Sequence, residues 1–153
     1  MAGDIIKSVT VTPVLDTNAY ASGDFMGAAI LTLSDVAFAD QTMLHSITVT
    51  DKAKQSLAID LIFWKTNCSN TTFTDNAALD IHDTDLLQYA GHVSIAAANY
   101  AALNDNSVAT VANIGLVMSL ATNSRNLYCT PVARSAPTYA ASDLQFTFAF
   151  IRP

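Results

Sequence analysis

The closing stretch LQFTFAFIRP places Leu144, Phe146, Phe148 and Phe150 on alternate positions. Strand side chains point to opposite faces with a period of two, so these four share one face. The stretch has a full apolar face and no proline inside it, which predicts a strand central to its sheet.

The same period recurs along the chain. KSVTVTPVL (Lys7–Leu15) alternates, but Pro13 cannot donate to a ladder, so an edge or bulged strand is expected there. FMGAAILTL (Phe25–Leu33) is a short apolar run, and MLHSITVT (Met43–Thr50) puts Met43, His45, Ile47 and Val49 in phase. ITVTDKAKQSLAIDLIFWK (Ile47–Lys65) reads as a hairpin turning at Asp51–Ser56, with Leu57, Ile59, Leu61 and Phe63 on one face of its second strand. Further strands are expected over His92–Leu103, over Val108–Ala121, and over Leu127–Arg134 with an interruption at Pro131. Thr66–Gly91 is the least strand-like region. Within it DTDLLQYAG allows one short helical segment near 83–90, begun by Asp83 or Thr84 and stopped by Gly91.

About eight turn-separated strands with little helix predict an all-β protein, a jelly-roll-like β-sandwich in which sequence-distant strands pair. A chain of 153 residues is long enough for one such domain and short for two. We assign residues 9–153 to it, with residues 1–8 as a candidate N-terminal arm.

Composition narrows the function. Charged residues are 13% of the chain and apolar ones 51%, against a usual ~25% and ~45–50%. Thr, Ser, Asn and Ala fill the difference, so much of the surface is neutral, the kind that ends up against other protein. The net charge is −6, and only Lys52 and Lys54 of the seven basic residues lie close together in sequence. Nucleic acid and anionic membrane surfaces both select clustered cations, and neither is an expected partner. MAGDIIKSVT has an acid at Asp4 and no apolar run of leader length, so no export signal is expected. Two sequons in NCSNTT (Asn67–Thr72) then read as a polar loop. Cys68 and Cys129 lack metal or redox spacing and read as buried thiols.

Catalytic signatures are missing. The sequence has no G-x-S-x-G elbow, no phosphate loop, no G-x-G-x-x-G and no H-E-x-x-H. DIHDTD (Asp80–Asp85) is the one cluster of ligand-type residues, making Asp80, His82, Asp83 and Asp85 weak metal candidates. It lacks the glycine and distal glutamate of a calcium loop, and we expect no metal and no cofactor. His45 and His92 have no Asp or Ser at a telling spacing. An enzyme is not expected; a small β-barrel enzyme using His45, His82 or His92 is the outlying alternative.

Trp64 poses the remaining question. It shares the second face of its strand with Asp60 and Ile62. A Trp there is either a stacking platform for a sugar, with Asp60 accepting from hydroxyls, or a side chain covered by a neighbouring subunit. Charge is scarce along the whole chain, and that favours subunit contact at Asp60, Ile62 and Trp64 over a carbohydrate-binding module.

Four stretches carry a family likeness: VTPVLDTNAYASGD (Val11–Asp24), LHSITVTDKAKQSLAIDLIFW (Leu44–Trp64), FTDNAALDI (Phe73–Ile81) and APTYAASDLQFTFAFIR (Ala136–Arg152). In them the chain resembles the small capsid decoration, or cement, proteins of tailed-bacteriophage virions. The resemblance implies a jelly-roll domain on the outer capsid surface, a homotrimer, and the major capsid protein as partner. It implies a mechanical role, and no catalytic residue carries over.

Overall fold

The Phe-rich closing strand is interior to its sheet, flanked by a strand on either side. The computed structural model describes residues 4–153. Its strands are β1 (Ile6–Val11), β2 (Asp24–Phe25), β3 (Leu31–Leu33), β4 (Gln41–Asp51), β5 (Ile59–Trp64), β6 (Ala77–Ala78), β7 (Tyr89–Ile95), β8 (Tyr100–Ala102), β9 (Ser107–Val111), β10 (Leu116–Ser119), β11 (Leu127–Ala133) and β12 (Leu144–Ile151). Among the described residues there is one α-helix, α1 (Asp83–Leu86), and one 3-10 turn, Ala97–Asn99.

Two antiparallel sheets pack face to face. The first, sheet A, has the order β1-β12-β4-β9-β8, with β10 continuing β9 along the same edge of β4. The second, sheet B, has the order β6-β2-β11-β5-β7, with β3 continuing β2 along β11. If each interrupted pair is joined and the short β6 and β8 are set aside, eight strands remain. Their order is first, last, third, sixth in one sheet and second, seventh, fourth, fifth in the other. Sequence-distant strands pair throughout, as the jelly-roll expectation requires.

The core lies between the sheets. Leu144, Phe146, Phe148 and Phe150 meet Leu57, Ile59, Leu61 and Phe63 there, all of them buried. Phe148 stands edge-on to Phe63, with centroids 5.8 Å apart.

Several expectations need correction. β4 and β5 form no hairpin: β4 lies in sheet A and β5 in sheet B, so the Asp51–Ala58 connection crosses the sandwich. Alternation identifies the inward face of each strand but not the sheet it joins. The phase of β4 also breaks. Ala149 is opposite Ser46 while Phe150 is opposite Leu44, so His45 is a bulged extra residue. Leu44 turns into the core in place of Met43 and His45. β11 runs unbroken through Pro131. The Pro131 carbonyl accepts from Met26, so its missing N–H would have faced the same neighbour, and that neighbour is the strand interrupted between β2 and β3.

The ends of the helical segment differ as well. His82 caps α1, its Nδ1 accepting from the Thr84 amide, and Leu87 closes it. Gly91 is within β7, where an added Cβ would come within 3.0 Å of Leu116 Cδ2. Its small size lets β7 of one sheet approach β10 of the other. Residues 5–8 of the candidate arm 1–8 are tied to the sandwich: Ile6–Ser8 ladder with Ala149–Ile151, and the Arg152 amide donates to the Ile5 carbonyl. Met1–Gly3 lie outside the described residues.

Cys129 is in the core and Cys68 beneath the Thr66–Thr71 turns; both are free thiols. Burial pushes both thiols up, Cys68 to about 11 with the Asp85 charge adding to the effect. The thiolate is the reactive form. Iodoacetamide near pH ~8 is therefore expected to label neither cysteine in the native protein and both after denaturation, as read by intact mass. Rapid native labelling of Cys68 would contradict its burial.

Candidate functional site

Each sheet has an outer face, and the two differ in chemistry. On sheet A the residues between the core positions form rows across the strands. Thr10, Thr147, Thr48 and Thr110 lie in register across β1, β12, β4 and β9. Their hydroxyls pair within the row, Thr10 with Thr147 at 3.0 Å and Thr48 with Thr110 at 3.2 Å. One flanking row is Ser8, Ala149 and Ser46; the other is Gln145, Thr50 and Val108, with Gln145 donating to Thr12.

A further row is apolar: Ile6, Ile151, Met43 and Val117. Its two ends are open to solvent, Ile6 at 67% and Val117 at 60% exposure. The His45 bulge creates this row, because without the extra residue Met43 would keep the inward phase of Ile47 and Val49. No Asp, Glu, Lys or Arg stands at a register position of the four rows; the one ionisable side chain beside them is His45, exposed in the bulge between Ser46 and Met43. At ~4.8 Å between strands the face is ~14 Å wide. The nearby charges are spent internally: Lys7, Arg125 and Arg152 all converge on Asp35, at 3.8, 2.5 and 3.0 Å.

The outer face of sheet B is partly roofed by the excursion between β5 and β7, which the Lys65 amide closes on the Gln88 carbonyl. Phe73 covers Phe25 at a centroid distance of 5.1 Å. Trp64 is on this face, but only 2% of it is exposed. Its indole N–H donates to Thr130 Oγ1 at 3.0 Å, and Tyr89 stands edge-on to its ring. The expectation of a Trp64 left for a neighbour or a sugar is thus corrected: its own chain covers it. Ile62 is half-buried and forms, with Val132, the floor of a groove of about 450 Å³. Leu79 and Ile81 wall one side, Leu86 and Tyr89 the other, and Arg134 lies at the rim.

Asp60 orients that rim. One carboxylate oxygen accepts from Ser94 Oγ and the other from Arg134 Nε, both at 2.6 Å. Burial works against its charge, but the hydrogen bonds from Ser94 and Arg134, helped by the Arg134 charge, prevail and hold the carboxyl below its usual range. Asp60 and Ile62 therefore share one site, with Trp64 beneath it. Arg134 is the member that sequence alone did not reveal, since only the β5–β11 pairing brings it beside Asp60.

The DIHDTD residues do not converge. Asp85 is buried, and its oxygens accept from the Asn70 amide and side chain and from Thr71 Oγ1, which fastens the excursion. His82 is occupied as the helix cap, while Asp80 and Asp83 face solvent. His92 Nδ1 meets the Tyr89 hydroxyl at 2.6 Å, and His45 occupies the bulge. A second buried carboxylate, Asp51, accepts from the Ala53 and Ser56 amides, Ser107 and Tyr139. It holds the loop that crosses between the sheets.

No family model matches the chain. No curated protein matches it either. Among solved structures it is similar to the VP2 subviral particle of infectious bursal disease virus, with a TM-score of 0.35 and 11% identity over 95% of this chain and 32% of that one. The T13 viral particle of the same virus gives 0.35 and 10% identity over 96% and 31%. Its Gx strain gives 0.32 and 12% over 96% and 32%. The chain spans about a third of the length of these structures. None of them is similar enough to assign it to a family.

Proposed function

We propose that the protein is a virion structural component, a decoration or cement protein that binds the outer head surface of a tailed bacteriophage and stabilises the shell. The observation that carries this is the outer face of sheet A: three uncharged rows, two of them rich in hydroxyls, beside an apolar row, with no carboxylate, ammonium or guanidinium at any register position. A monomer gains nothing by exposing Ile6 and Val117 side by side with a flat neutral ladder. A protein surface seated on it loses no ionic hydration, a cost of several kcal/mol per buried charge. Many copies on one lattice turn a modest contact into firm attachment. The role is mechanical and asks for no catalytic group.

The carbohydrate alternative loses its platform, because the Trp64 ring is covered and its N–H is already used.

Binding to purified empty shells of the major capsid subunit tests the proposal. Thr147→Lys and Val117→Lys each place a charge in the face at a solvent-accessible site. Each is expected to weaken shell binding at least ~10-fold, since the charge must be buried on docking, with circular dichroism unchanged. Unaltered binding in both variants, or no shell binding by the wild-type chain, would end this assignment.

A further inference from the structure

The groove on sheet B is a separate surface, on the opposite side of the sandwich from the face assigned to the shell. We propose that it receives Leu87 of a second copy of this chain, in a reciprocal two-fold pair in place of the homotrimer that the family resemblance implies.

The knob comes from the same patch as the hole. Leu87 is 77% exposed, the highest value among the exposed large apolar side chains of the described residues, and it adjoins the groove wall at Leu86. Both lie at the end of α1. The groove floor is Ile62 and Val132, so a leucine that reaches it meets apolar side chains. Burying a Leu side chain is favourable in proportion to the apolar area taken out of water, and a reciprocal pair buries two.

Charge fixes the register. Arg134 Nε is held by Asp60, and both oxygens of Asp60 are already engaged. Among the described residues the two Nη groups of Arg134 take no partner, so this rim offers donors and calls for an acceptor. Asp83 precedes Leu87 by four residues, which puts both on one side of the helical turn. It is exposed and unpaired among the described residues. As Leu87 enters the partner's groove, Asp83 travels with it toward the partner's Arg134. Knob and groove are adjacent on one patch, so the contact is self-complementary, and a two-fold axis satisfies both copies at once. Such a pair leaves sheet A of each copy free.

Sedimentation of the full chain over a wide concentration range tests this directly. A monomer–dimer equilibrium is expected. Leu87→Asp should abolish it, and Arg134→Glu should weaken it at least ~10-fold, since an interfacial charge pair becomes a repulsion. Combining Arg134→Glu with Asp83→Arg should restore most of the association. Positions 83 and 87 are exposed, and unchanged circular dichroism confirms folding. Trp64 is the chain's single tryptophan and lies under the groove, so its emission should shift on dilution of the wild type and stay constant in Leu87→Asp. A monomer at every concentration would overturn the proposal. So would a trimer, or a dimer indifferent to Leu87→Asp. A shell or an apolar ligand protecting the groove of a strictly monomeric chain would assign it to that occupant instead. Shell binding is scored separately, through Thr147 and Val117, so the two proposals fail independently.

Discussion

Phe148→Ala is expected to lower the free energy of unfolding by about 3–5 kcal/mol. Phe148 is fully buried at the centre of β12, between Phe146 and Phe150 along its own strand, and edge-on to Phe63 across the sandwich. Truncation removes the transfer energy of a phenyl ring and leaves a cavity bounded by two sheets. Neither sheet can close the gap without shifting a ladder, because β12 is bonded on both sides. A domain of this kind has ~5–15 kcal/mol in total, so the variant forfeits a large part of its stability. Urea titration should show a much lower midpoint with a similar slope. A loss under ~1 kcal/mol would mean that the core relaxes far more than close packing allows.

Asp51→Ala is expected to cost about 2–4 kcal/mol, because each buried donor left unsatisfied costs ~1–3 kcal/mol and several share this carboxylate. The Ser56 amide donates at 2.7 Å and the Ala53 amide at 3.1 Å, while Ser107 and Tyr139 hydroxyls approach at 3.3 Å. Lys54 and Ser56 both have positive φ, at 53° and 48°, so the loop adopts a conformation that non-glycine residues resist. The carboxylate is what compensates. Hydrogen exchange should accelerate at residues 53 and 56 beyond the global change, since the loop loses its anchor even where the sheets persist. Full retention of stability would show that water replaces the carboxylate at no cost.

The sequence was most informative where one strand carried its own evidence. Leu144 to Phe150 and Leu57 to Phe63 face the core as their alternation requires, and strand number with turn spacing indicates a sandwich, though not which strands pair. What escaped was set by pairing. The step from β4 to β5 looks like a hairpin because the Asp51–Ser56 loop is short and polar, yet a loop of that length also spans two stacked sheets. The His45 bulge has no glycine to announce it, and it exchanged the roles of Met43 and Leu44. Trp64 was misplaced because its cover comes from an excursion dense in turn formers, whose buried side depends on contacts at Asp85 and Gln88. The outward hydroxyls, Ser8 and Thr10 on β1, Ser46, Thr48 and Thr50 on β4 and Thr147 on β12, are visible one strand at a time. Only the sheet order makes them a continuous face.

The pairing of β1 with β12 has a mechanical meaning. Ile6 is opposite Ile151 in an antiparallel ladder, so the two ends of the described chain emerge side by side. A pull applied between them would load the hydrogen bonds one pair at a time and unzip the strands at low force. Tension applied along the sheet would instead strain every rung together. The fold is thus stiff against tension shared across its ladders and weak against traction between its two described ends.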